Sequence, residues 1–149
     1  MQFHVSRLSE FTHRPKVMSL WGPVAGFVAS ELVGMVWYSS VLFGDSWMRM
    51  VHPRKRPEEL KSSSGRAMVV SMAAHAALAG ILRHVYVNHM LIDNLPMAMA
   101  AGLSISTVCA ISEICHVMFG KKSWALFAID NGFNTAVILT MSVGIGLFL

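Results

Sequence analysis

The chain has 149 residues, of which 54% are hydrophobic and 13% charged, with mean hydropathy +0.54. Soluble domains carry roughly 25% charged residues, so this composition excludes an ordinary water-soluble domain. The formal charge of +4 falls in short segments beside apolar runs, where lipid headgroups account for it better than nucleic acid does.

Residues 1–17 form a basic N-terminal tail, with Arg7, Arg14 and Lys16 against Glu10. A surface-lying tail is the favoured reading, and an organelle-targeting leader is the other. The remainder, 18–149, reads as one domain of four transmembrane spans, about 18–43, 67–87, 95–119 and 123–149, each near the roughly 20 apolar residues that a bilayer requires. In the first span Gly22, Gly26, Ser30 and Gly34 recur every four residues, a helix-packing ladder that admits another backbone closely and is the face expected to meet another protein or a second copy. Trp21 lies at one end of this span, and Trp37, Tyr38 and Trp47 toward the other, as interfacial aromatics do. Glu31 stands beside the ladder.

Residues 44–66 read as a polar connection, broken by Pro53 and Pro57 and carrying Arg54, Lys55 and Arg56 against anionic lipid. The second span holds His75 near its middle and Arg83 near its end. Asp93, Asn94 and Pro96 then mark a helix start. In the third span Gly102, Ser106, Cys109, Glu113 and His116 share one face. The only other cysteine, Cys115, is turned away from Cys109, so no disulfide framework exists. The fourth span opens after Gly120, Lys121 and Lys122; Asp130 and Asn134 share a face with Asn131 alongside, and Gly132, Ala136, Thr140 and Gly144 form a further ladder.

Lys and Arg number four at the amino end and second loop and eight in the first and third loops. The positive-inside rule therefore places both termini on the non-cytosolic or non-matrix face. The run VLFGDSW at 41–47 echoes VMFGKKSW at 117–124, which raises two repeated helical hairpins as one origin of the bundle and chance as the other.

Gly34, Trp37 and Tyr38, followed by Phe43, Gly44 and Trp47, resemble the G-x-x-WY…FG…W signature of an uncharacterised membrane family, domain of unknown function seventeen sixty-one. Phe119-Gly120-Lys121 and Ile129-Asp130-Asn131-Gly132-Phe133 are similar to that family's closing helices. The resemblance spans nearly the whole chain and implies four membrane helices. It implies no activity, substrate or catalytic residue.

The intramembrane polar cluster is thus Glu31, His75, Glu113, His116, Asp130, Asn131 and Asn134. Counted from the inner span ends, these groups lie between ~5 and ~17 Å deep, which predicts convergence on one interior. Three readings follow. Such a cluster specifies helix packing in a structural, assembly or accessory subunit. Alternatively it carries protons or a small polar solute. Least favoured is a metal site built on the Glu113-x-x-His116 pair, because the second motif of a di-iron bundle is missing. No enzyme motif with supporting context occurs, so the expectation is a non-enzymatic protein without cofactor. Its expected partners are lipid, other membrane subunits or further copies of itself, and its expected location is the plasma or mitochondrial inner membrane.

Overall fold

The computed structural model describes residues 20–54 and 64–149, so the basic tail 1–17, residues 18–19 of the expected first span and residues 55–63 of the polar connection, including Lys55, Arg56 and Pro57, lie outside the described residues. The described residues form an all-α bundle of five helices: α1 Trp21–Trp37, α2 Gly44–Val51, α3 Ser64–Asn88, α4 Leu95–Gly120 and α5 Trp124–Leu147. Three helices are long and apolar enough to cross a membrane, over Gly65–Asn88, Leu95–Gly120 and Trp124–Leu147. They bury only 11%, 22% and 28% of their apolar windows inside the protein. Residues such as Val28, Leu32, Leu103, Val108 and Ile111 stay more than half exposed, a surface that suits hydrocarbon rather than water.

The first expected span is corrected at its far end. Helix α1 stops at Trp37 rather than near Phe43, and at 17 residues is about 25 Å long, against ~30 Å of hydrocarbon. It stops because Ser39 turns the chain: its hydroxyl and its N–H both donate to the Val36 carbonyl, at 2.7 and 3.2 Å. Gly44 N–H then returns to the Ser39 carbonyl at 2.9 Å. A side chain at Gly44 would run into the Tyr38 and Ser39 carbonyls, so this glycine permits the close turn. The connection after it is also corrected, since Gly44–Val51 is helical. Asp45 in its first turn and Arg49 in its last complement the helix dipole.

Local capping explains the other ends. Asn94 accepts from Met97 N–H at 3.0 Å, and Pro96 occupies the first turn of α4, where no N–H is needed. Lys121 ends that helix in the left-handed conformation, and Ser123 caps α5 by accepting from Ala125 N–H.

Helix α5 is the centre, with Val137, Met141, Ser142 and Ile145 buried on its inner side. Helix α1 runs antiparallel along it, Gly22 against Ile145, Gly26 against Met141 and Gly34 against Phe133. On another side α4 also runs antiparallel, with Gly102 against Ser142 and Ala98 against Gly146. Helix α3 packs on α1 and touches α5 through Tyr86, whose hydroxyl lies 2.8 Å from that of Ser142. Chain direction thus alternates through α1, α3, α4 and α5. The glycine ladder of α1, the face sequence reasoning assigns to contact between molecules, is occupied within the chain. Packing loosens toward the α4–α5 turn: residues 65–74 of α3 are all exposed, and after Ser106 only Val117 of α4 is buried.

Candidate functional site

At that looser end, the carboxylate of Asp130 organises the aromatic residues of the first half of the chain. Trp47 donates its indole N–H to Asp130 Oδ1 at 2.9 Å, and Tyr38 donates its hydroxyl to the same oxygen at 3.3 Å. Trp37 donates to the carbonyl of neighbouring Ile129 at 3.2 Å. One turn along α5, Phe133 meets the Tyr38 ring edge-on, with centroids 4.9 Å apart. Gly132 allows the approach, since a Cβ there would stand 3.0 Å from the Trp37 indole. Burial first, and then the Asp130 charge and hydrogen bond, push the Tyr38 phenol well above its ordinary pKa.

A second polar contact joins α1 to α3. His75 Nδ1 lies 2.7 Å from Glu31 Oε1, with both side chains largely but not wholly covered. The His75 ring also faces Phe133 at a centroid distance of 6.0 Å. This pair sits where α3 begins to leave the bundle, just after its exposed stretch.

Between the C-terminal half of α4 and the N-terminal half of α5 lies a cleft of about 420 Å³, lined among others by Ser112, Glu113, Lys122, Asp130, Asn131 and Asn134. Lys122 Nζ reaches Glu113 Oε1 at 3.0 Å across the turn.

Convergence on one interior is therefore corrected to a division. Glu113, Asp130, Asn131 and Asn134 do share the cleft. Glu31 and His75 form a separate pair, and His116 is exposed and does not line the cleft. Packing is loose toward the α4–α5 turn, where Val117 is the one buried residue of α4 after Ser106, and His116 beside it is left exposed. Among the described residues, no three His, Cys, Asp or Glu side chains are grouped as a metal would require.

Reading Trp37, Tyr38 and Trp47 as interfacial aromatics misses their hydrogen bonds to α5, for which the signature spacing is the only sequence signal. Lys122, read only as a loop charge, turns out to face the cleft.

No curated protein and no solved structure matches the chain. Residues 21–146 match the model of a family described as protein of unknown function (DUF1761), a stretch that holds the aromatic signature, Asp130 and the cleft; the chain belongs to that family.

Proposed function

We propose that this is a small multi-pass membrane protein whose α1, α3, α4 and α5 all span the bilayer, and that it acts as a structural, assembly or accessory subunit without enzymatic activity. The observation that carries the reading is the pairing of the carboxylates of α1, α4 and α5 inside the chain. Glu31 meets His75, Glu113 meets Lys122, and Asp130 accepts from Trp47 and Tyr38. Groups satisfied in this way serve to set which helix faces meet. A proton relay asks instead for successive groups within reach of one another, and the Glu31–His75 pair stands outside the cleft that Glu113 and Asp130 share.

Antiparallel neighbours support even span number, and the lysine and arginine count supports termini on the non-cytosolic or non-matrix side. Asp130→Asn in reconstituted vesicles tests the role. Unchanged pH-dependent flux with a preserved oligomer or partner complex supports an assembly role, whereas loss of a measurable wild-type flux replaces it with proton transport. Labelling of single cysteines placed at Ser63 and Gln2, in a chain lacking Cys109 and Cys115, tests the topology; labelling of both from one side overturns it.

A further inference from the structure

The cleft between α4 and α5 contains more than the pairs that hold the helices. Its charges are unequal, two carboxylates (Glu113 and Asp130) against the single ammonium of Lys122. Two of its neutral side chains spend a donor on helix backbone, the Ser112 hydroxyl on the Cys109 carbonyl at 2.8 Å and the Asn131 amide nitrogen on the Phe127 carbonyl at 3.1 Å, while Asn134 adds an acceptor along with its amide donors. The lining therefore retains acceptors in excess. Asp130 uses one oxygen for both indole and phenol, and a carboxylate has about four acceptor positions in all. Asn131 keeps its carbonyl oxygen.

The cleft also has a side entrance. Lys122 lines it at the connecting turn and is exposed, and Cys109, Ser112 and Asn134, also exposed, line its far end, so the cleft opens laterally along the two helices from the turn inward. In a bilayer the Lys122 end of that opening stands toward the headgroup level, while Cys109 and Asn134, about 15 Å from the turn, stand near the middle. Its volume of about 420 Å³ is within the range of small-molecule sites, roughly 300–1,000 Å³.

We infer that this cleft binds a primary ammonium group, with Asp130 as the main acceptor and Glu113 and the Asn131 carbonyl as further acceptors. A primary ammonium supplies three N–H donors and the positive charge the lining lacks, whereas a quaternary ammonium supplies the charge without donors. Two sources present this chemistry: the ethanolamine headgroup of a lipid entering from the side, and a free amine entering from the aqueous end. The inference requires membrane residence but not the assembly role, so either can fail alone.

The test uses the full chain in nanodiscs. Native mass spectrometry reads retention of phosphatidylethanolamine against phosphatidylcholine, and calorimetry reads free ethanolamine titrated into phosphatidylcholine discs. Preferred retention of phosphatidylethanolamine, falling about tenfold in Asp130→Asn, supports a lipid-fed site. Ethanolamine binding without lipid preference supports the same ammonium site fed from water. Asn134→Leu fills the inner end of the cleft from an exposed position and should reduce binding with an unchanged melting curve, which guards against loss through misfolding. Equal retention of the two lipids together with no binding of free ethanolamine, or primary-amine binding unaffected by both variants, overturns the inference.

Discussion

Trp47 and Asp130, 83 positions apart, are joined by a 2.9 Å hydrogen bond that fastens the short helix α2 to the central helix α5. The bond uses a carboxylate oxygen that also accepts from Tyr38, so one side chain holds both sides of the turn between α1 and α2.

Asp130→Leu should destabilise the protein by about 3 kcal/mol, because hydrogen bonds to a charged acceptor contribute roughly 1.5–3 kcal/mol and two donors lose theirs. Asp130→Asn keeps an acceptor and should cost only about 1 kcal/mol. Reversible unfolding in mixed detergent measures both. Equal losses in the two variants would show that the site tolerates only the charge, and no loss in either would remove Asp130 as the organising group.

Tyr38 offers a spectroscopic view of the same contact. Burial and the Asp130 charge raise its pKa above the ordinary 10.0, so the stability from the neutral phenol is complete below that pH. It declines as pH rises from there through the folded value. With only two tyrosines in the chain, a Tyr86→Phe background isolates Tyr38 in an alkaline absorbance titration. Adding Asp130→Asn removes the charge but leaves the burial, so ionisation should move to lower pH while staying above 10.0. A titration indifferent to Asp130→Asn would contradict the contact.

The all-α, membrane-suited character was legible because apolar length and low charge leave few alternatives. Helix starts at Asn94 and Ser123 were legible in principle from capping chemistry alone. The end of α1 was not, because nothing in the apolar run to Phe43 marks a stop; the turn depends on Ser39 and on a glycine five residues later. The partition of the polar groups was hidden for a related reason. Depth along a span is computable from sequence, but rotation of one helix against another is set by packing, and it separates Glu31 from Asp130. Small-residue ladders likewise show that a close partner exists without saying whether it belongs to the same chain.

That last distinction yields a prediction. A Cβ at Gly26 would stand 2.9 Å from the Met141 backbone, which has no flexible end to move aside. Gly26→Ala should therefore cost about 1–3 kcal/mol through overpacking, as a property of a single chain and independent of protein concentration. A Cβ at Gly80 would meet nothing within 4 Å, so Gly80→Ala should be neutral or stabilising by up to about 1 kcal/mol. Concentration-dependent loss in Gly26→Ala would return the ladder to an intermolecular role.

Glu31 and His75 provide the last test, because their 2.7 Å contact is the polar join between α1 and α3 at the point where α3 leaves the bundle. Both side chains retain some exposure, 24% for Glu31 and 16% for His75, so solvent screens the pair and a large energy is not expected. Intramembrane polar contacts average about 0.6 kcal/mol and reach about 1.7 kcal/mol, and a double-mutant cycle of Glu31→Gln and His75→Leu should return a coupling in that range. Position should respond more than stability. Spin labels on α1 and α3, at Leu32 and Met72, should report a broader distance distribution in His75→Leu than in the parent. The lower half of α3 has no other buried contact to hold it, since residues 65–74 are exposed throughout. The Tyr86–Ser142 contact at 2.8 Å should keep the opposite end in place, so labels near Tyr86 should not move. An unchanged distribution at Leu32 and Met72 would show that packing, rather than the acid–imidazole contact, sets the position of α3.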